Sequence, residues 1–103
     1  LTEVAADFSK TDIGFVKADT TITFRYLMVN VGEDRLKVLS VNPDCNCTGY
    51  ELSQNNANKG DSIILTLDVD MRNKHKGRFM LSTVICLNTK QRLYPILITG
   101  EVK

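Results

Sequence analysis

The sequence has no tryptophan, one histidine and two prolines among its 103 residues. Its three cysteines are odd in number and too few for a disulfide-rich scaffold. Thirteen basic residues against twelve acidic ones leave a net charge of +1, so no long-range field draws the protein to nucleic acid or to an anionic membrane. The longest apolar stretches, such as residues 93–98, are too short to span a bilayer. We therefore expect neither a nucleic-acid partner nor a transmembrane segment.

The remaining composition is that of an ordinary globular protein, with 43% hydrophobic and 24% charged residues. A chain of this length forms one domain, which we place at residues 1–103. Because the sequence begins with Leu1 and not with methionine, we expect a trimmed or processed chain from which a targeting segment, or a lipid anchor, has been removed.

Alternation of apolar and polar residues with period two runs through the chain and predicts β-strands. The clearest strand covers residues 61–70. Four of its residues share one face and should form the core: Ile63, Leu65, Leu67 and Val69. Asp68 and Asp70 lie on the opposite face and should be exposed.

Further strands are predicted at residues 20–31, 36–41, 51–53, 78–87 and 92–102, and one strand, broken near Ser9, at residues 4–8 and 13–16. The strand over 20–31 is apolar on both faces and should be central. Pro95 cannot donate to a ladder, which predicts that the last strand lies at an edge or carries a bulge at this residue. About seven short strands with regular turns predict an all-β fold, an immunoglobulin-like two-layer antiparallel β-sandwich.

Several short motifs occur in a recognisable order along the chain. They are residues 12–16, 24–32, Leu36 with Val38, Cys45-Asn46-Cys47-Thr48, Lys59-Gly60-Asp61, Gly77-x-Phe79 and residues 98–102. Together they resemble a family of small Ig-like domains of unknown function, abundant in secreted and lipid-anchored proteins of Bacteroidetes. That family is similar to the ASPM/Hydin-type (ASH) and major-sperm-protein-like sandwiches.

The resemblance implies a non-catalytic sandwich that is periplasmic or extracellular, lipid-anchored at the cell envelope in some members, and it names no ligand. Two positions depart from the family pattern. Members usually carry Cys-Gly-Cys-Thr, where Asn46 stands in this chain, and often Pro-Gly-Glu in place of residues 59–61.

The pair Cys45 and Cys47 is open to several interpretations: a metal-ligand pair, a redox couple, a local disulfide or a structural corner. Zinc thiolates usually come as Cys-x₂-Cys with two further ligands, and the remaining candidates here are Cys86 and His75. His75 lies between two lysines, which disfavours a cation. Cys86 should point away from the face of its strand neighbours and pack as a small apolar residue. We favour a structural corner, and we name Cys45, Asn46, Cys47 and Thr48 as the motif residues of the chain.

The other candidate features are weak. The basic cluster of Arg72, Lys74, His75, Lys76 and Arg78 contains no aromatic residue and is predicted to be a solvated loop. No nucleophile elbow, phosphate loop or zinc-helix motif occurs in the sequence, so we predict neither an enzyme nor a cofactor.

The sequence therefore predicts a non-enzymatic structural or protein-interaction module of the bacterial cell envelope. Its partners would be other envelope proteins or domains of the same longer chain. One alternative is a glycan-binding module, for which Tyr50 is the one aromatic residue expected in a loop. The other is a thiol or metal function at Cys45-x-Cys47.

Overall fold

The computed structural model describes residues 1–72 and 75–103, and in these residues it contains nine strands and no helix. The strands are β1 (Val4–Ala6), β2 (Thr11–Val16), β3 (Thr21–Asn30), β4 (Leu36–Pro43), β5 (Thr48–Leu52), β6 (Asn56–Ala57), β7 (Ser62–Asp70), β8 (Gly77–Leu87) and β9 (Leu93–Val102). They form a four-stranded sheet in the order β1-β3-β7-β5 and a five-stranded sheet in the order β2-β9-β8-β4-β6. The predicted two-layer sandwich is confirmed.

One pairing differs from the predicted all-antiparallel arrangement. Strand β2 pairs with β9 in parallel, whereas the other pairings are antiparallel. The predicted break near Ser9 explains the difference, because residues 7–10 carry the chain from the four-stranded sheet to the five-stranded one. Once the chain has crossed to the five-stranded sheet, β2 pairs with β9 of that sheet, and the two strands run in the same direction.

The core lies between the two inner faces. In β7 the inward residues Ile63, Leu65 and Leu67 are fully buried, as predicted, and Val69 is 1% exposed. The opposite sheet contributes further fully buried side chains, among them Leu36, Ile85, Leu87 and Ile96. Of the two aspartates predicted to face solvent, Asp68 is exposed and Asp70 is half-buried.

Two predictions about strand position have different outcomes. Strand β3 is central, since it lies between β1 and β7. Strand β9 is not an edge strand and carries no bulge towards β8, so that expectation from Pro95 is wrong. Pro95 is tolerated because, at its pairing position with Val84, its backbone nitrogen and carbonyl point away from β8. On that other side β2 pairs with β9 only from Ile98 onward, so Pro95 has no strand to which it would have to donate.

The stretch predicted as a polar loop with a short strand at 51–53 is more ordered than expected. Strand β5 starts at Thr48 and forms an edge of the four-stranded sheet. The two residues of β6 pair with the start of β4, which buries Ala57 at 2% exposure. A two-residue strand carries no periodic signal, which is why the sequence did not reveal it.

Asn30 organises one end of the sandwich, a role that the sequence analysis did not assign. Its side chain is fully buried. The amide group donates to the carbonyls of Asp34 at 2.8 Å and Ala57 at 3.0 Å. The side-chain oxygen accepts from the Thr2 hydroxyl at 2.7 Å and the Gly32 N–H at 3.1 Å. One side chain thus connects the N-terminal segment, the β3–β4 turn and β6 to the end of β3.

Truncation of the β7 core should be costly. We expect Leu65→Ala to destabilise the fold by about 2–5 kcal/mol, because it removes a fully buried side chain from between the sheets. The matched control is Ile64→Ala, which changes the neighbouring, 39% exposed residue and should cost less than about 1 kcal/mol. Denaturant unfolding measures both, and equal losses would show that the faces of β7 are assigned wrongly.

The Asn30 network gives a second prediction. Asn30→Asp keeps the shape of the side chain but replaces its NH₂ group, which donates to two carbonyls, by a carboxylate oxygen that cannot donate. The variant should therefore lose about 2–4 kcal/mol of folding stability at neutral pH. The loss should shrink in acid, where a protonated carboxyl can donate again. Asn42→Asp, at an exposed asparagine, is the control and should change stability by less than about 0.5 kcal/mol. If both variants lose the same stability, the network is not structural.

Candidate functional site

The predicted motif lies where the chain crosses from one sheet to the other. Strand β4 of the five-stranded sheet ends at Pro43, and β5 of the four-stranded sheet begins at Thr48. Between them the Thr48 N–H donates to the Cys45 carbonyl at 3.2 Å and closes a tight turn. We call residues 44–48 the corner.

Each end of the corner is tied to a different sheet. The Asp44 N–H donates to the Ser82 carbonyl of β8 at 2.9 Å. The Cys47 carbonyl accepts from the N–H of Asp70, at the end of β7, at 2.8 Å. The corner therefore spans the gap between the sheets with one backbone hydrogen bond on each side.

Cys45 and Cys47 are joined by a disulfide, with their Cα atoms 5.1 Å apart. A local disulfide was one of the alternatives left open by the sequence, and here it lies in the turn between the two sheets. The Cys47 N–H donates to the Cys45 sulfur at 3.1 Å, and the Cys47 sulfur lies 3.9 Å from the Thr48 hydroxyl. Both cysteines are half-buried and pack against the core, and in the disulfide neither sulfur is a thiolate.

The remaining candidate residues lie apart from the corner. Cys86 is a free, half-buried thiol between fully buried Ile85 and Leu87, so it points to the other face of β8 as predicted. His75 is exposed. Within residues 1–72 and 75–103, no three His, Cys, Asp or Glu side chains are grouped so that they could share a metal ion.

The described members of the basic cluster are exposed at the surface. Lys76 and Arg78 are exposed, and Lys74 lies outside the described residues. Arg72 pairs with Asp70 at 2.7 Å, and its guanidinium together with its backbone N–H holds the pKa of the Asp70 carboxyl below its ordinary value. This ion pair lies beside the corner, since the Asp70 N–H donates to the Cys47 carbonyl.

An open depression of about 460 Å³ lies at the corner. It is lined by Pro43, Asp44, Cys45, Asn46, Thr48, Gly49 and Tyr50. The Tyr50 ring is 50% exposed and lies in β5, not in the loop in which the sequence placed it. The lining combines apolar surface with one carboxylate, that of Asp44.

A second surface was not recognised from the sequence. Six apolar residues of β8 and β9 face outward from the five-stranded sheet, on the side opposite the core: Met80, Val84, Cys86, Leu93, Pro95 and Leu97. We call them the apolar outer face. Met80 is 65% and Leu93 55% exposed. The signal was the run at residues 93–98, which is apolar at both strand parities where a one-sided strand would alternate.

The family profile for "Protein of unknown function (DUF1573)" matches residues 4–102. The chain belongs to this family. No protein of curated function matches the sequence. The described part of this DUF1573 domain contains no helix able to cross a membrane.

Several solved structures share the fold of the DUF1573 domain. A protein of unknown function from Porphyromonas gingivalis W83 is 20% identical, with a TM-score of 0.83 over 97% of this chain and 46% of that one. The ASH/PapD-like domain 7 of human CEP192 is 9% identical, with a TM-score of 0.68 over 99% and 86%. The VesB protease of Vibrio cholerae is 8% identical, with a TM-score of 0.71 over 97% and 31%.

These likenesses concern the fold alone. They show that the domain shares its fold with an ASH/PapD-like domain, and the immunoglobulin-like fold class is confirmed. The DUF1573 domain spans less than half the length of the Porphyromonas gingivalis and VesB chains, so those proteins contain further segments beside their sandwich.

The corner disulfide should contribute little to stability, because it closes a very short loop. We expect Cys45→Ser with Cys47→Ser to keep the fold and lose about 1–2 kcal/mol in denaturant unfolding. The unfolded parent protein should show one thiol, that of Cys86, before reduction and three afterwards. Stoichiometric zinc that leaves together with the fold on chelation would contradict this account.

Proposed function

We propose that this DUF1573 domain is a non-enzymatic interaction module of the bacterial cell envelope, which packs against a neighbouring folded domain of the same longer protein. The observation that carries the proposal is the apolar outer face. Antiparallel sheets of an isolated sandwich usually present polar residues to solvent on their outer side. The outer side of the four-stranded sheet follows this rule over much of its length, with Thr21, Thr23, Arg25 and Asp68 exposed.

The size of the apolar outer face suits the centre of a domain interface. Residues 80–86 of β8 cover about 20 Å along the strand, and β9 adds a second row about 5 Å away. The whole molecule measures 46 × 20 × 18 Å. Its broad side is therefore large enough to bury the surface area that each partner contributes to a standard interface, about 800 Å². Arg78 of β8 and Glu101 of β9 are opposite each other in the strand register at one end of the apolar outer face, so the charges of the rim there balance. Recognition would therefore depend on the apolar centre.

Two observations support the partner and the location. In the Porphyromonas gingivalis chain the similar region accounts for 46% of the length, which leaves room for another domain beside the sandwich. The disulfide between Cys45 and Cys47 suits an oxidising compartment such as the bacterial periplasm. The chemistry of the corner supports a non-enzymatic role, since its sulfurs are joined to each other and the lining of its depression offers a single carboxylate, Asp44.

The three methionines allow a direct test. Met80 is exposed on the apolar outer face, whereas Met28 and Met71 are fully buried in the core and serve as internal controls. In the isolated domain, peroxide should oxidise Met80 first. In the full-length parent protein its oxidation should slow by about tenfold, because the neighbouring domain covers it.

Two results would contradict the proposal. Equal Met80 oxidation rates in the isolated domain and the full-length protein would show that this face is free. Protection of Met80 that rises with the concentration of the isolated domain would show that the occupant is a second copy. Sedimentation of the same samples distinguishes the two results.

Glycan binding is the second candidate function, and the observation that favours it is the half-exposed Tyr50 ring beside the corner depression. An exposed aromatic ring offers a flat apolar surface against which a sugar ring can pack. Saturable binding of an oligosaccharide that is lost in Tyr50→Ala and kept in Leu27→Ala would establish this role. Leu27 is the matched control because it is 53% exposed on the outer side of β3.

A further inference from the structure

We propose that the free edge of β5, together with the corner depression, binds an extended peptide segment, which adds to the four-stranded sheet as a further strand. The proposal deepens the function proposed above by naming a second type of partner. It concerns a different surface from the apolar outer face, so the two proposals can fail separately.

The backbone of β5 has a row of groups available for pairing. The Asp70 N–H donates to the Cys47 carbonyl, and the Ser53 N–H donates to the Ile64 carbonyl. Since bonded and non-bonded pairs alternate along an antiparallel ladder, Gly49 and Glu51 also face β7. The N–H and C=O groups of Tyr50 and Leu52 therefore point away from β7. Within residues 1–72 and 75–103, no strand pairs with β5 on that side.

The other exposed edges carry features that prevent strand addition. Strands β1 and β6 have three and two residues. The β2–β9 register shifts around Gly14, whose φ of 68° breaks the regular strand. The β4–β8 register shifts at Leu39, and Pro43 ends β4 without an N–H. Short strands, bulges and prolines are the usual protections of sheet edges.

Strand β5 has none of these protections. All five of its residues pair with β7 in unbroken register, and they include no proline, lysine or arginine. A regular, unprotected edge strand is the structural requirement for β-strand addition.

The side chains around the edge define the chemistry of the segment. The depression offers apolar surface from Pro43, the Cys45 disulfide and the Tyr50 ring, which suits one aromatic or large aliphatic side chain. Asp44 lines the same depression, and Glu51 is exposed on β5. The Asp44 carboxylate favours a segment that also carries lysine or arginine, whereas Glu51 lies on the opposite face of the sheet and lines a separate depression with Arg25. The occupant is therefore an extended peptide with an apolar anchor flanked by basic residues.

A synthetic heptapeptide tests this inference. It has lysines at both ends, β-branched residues between them and phenylalanine at the centre, with blocked termini. Amide exchange followed by NMR should slow at Tyr50 and Leu52 when the peptide is added. The amides of Gly49 and Glu51, already bonded to β7, should not change. Protection restricted to alternate residues of β5 is specific to strand addition.

Variants on both partners sharpen the test. Tyr50→Ala should weaken peptide binding by about tenfold, whereas Leu27→Ala, at a similarly exposed residue of the same sheet, should leave it unchanged. A peptide N-methylated at the residues that face β5 should not bind, and one N-methylated at the intervening residues should bind normally. The peptide variants leave the folding of the protein untouched, so their result does not depend on the stability of Tyr50→Ala.

Three results would overturn the inference. The first is that the heptapeptide does not bind saturably, and the second is that it binds equally well wherever it is N-methylated. The third is that the Tyr50 and Leu52 amides become protected in the domain alone as its concentration rises. The last would mean that β5 pairs with a second copy. Oligosaccharide binding at Tyr50 without amide protection would replace the inference by the glycan role. None of these results affects Met80 protection, which tests the function proposed above.

Discussion

The packing of β7 against the five-stranded sheet is the interaction on which the rest of the structure depends. Its inward side chains are almost completely buried, and the only disulfide among the described residues joins positions two apart within the corner, so it does not connect one strand to another across the core. The sheets are held together by apolar contact and by the chain segments that cross between them. Because the inner faces are occupied by this packing, the domain can bind partners only through its outer faces, its edges and its connections.

The sequence predicted those parts of the fold that local periodicity controls. Strict alternation identified the buried side of β7, and the motif from Cys45 to Thr48 located the corner. Pairing partners were harder to predict, because a strand pattern carries no information about its neighbour, and so the parallel β2–β9 pair was missed. The strand predicted at residues 36–41 is present as β4, but its buried side could not be read from alternation, because the register shift at Leu39 brings Leu36 and Val41, an odd number of residues apart, onto the same buried side.

The site was predictable to a similar degree. The cysteine spacing allowed a disulfide but did not select it, because the selection depends on how the turn orients both side chains. The role of Asn30 depends on four hydrogen bonds, three of them to backbone groups, and no side-chain pattern records these. The apolar outer face had a visible signal in residues 93–98, but a run that is apolar on both sides fits a central strand equally well.

The central claim is that this domain is a binding module with two separate surfaces. Photo-crosslinking in the producing cell tests this claim most directly. A photoreactive side chain would be placed in turn at Met80 on the apolar outer face, at Tyr50 beside β5 and at Leu27 as the control. The account predicts discrete crosslinks from Met80 to a neighbouring folded domain and from Tyr50 to an extended peptide segment, with none from Leu27. Crosslinks equally frequent at all three positions, or absent from both Met80 and Tyr50, would contradict it.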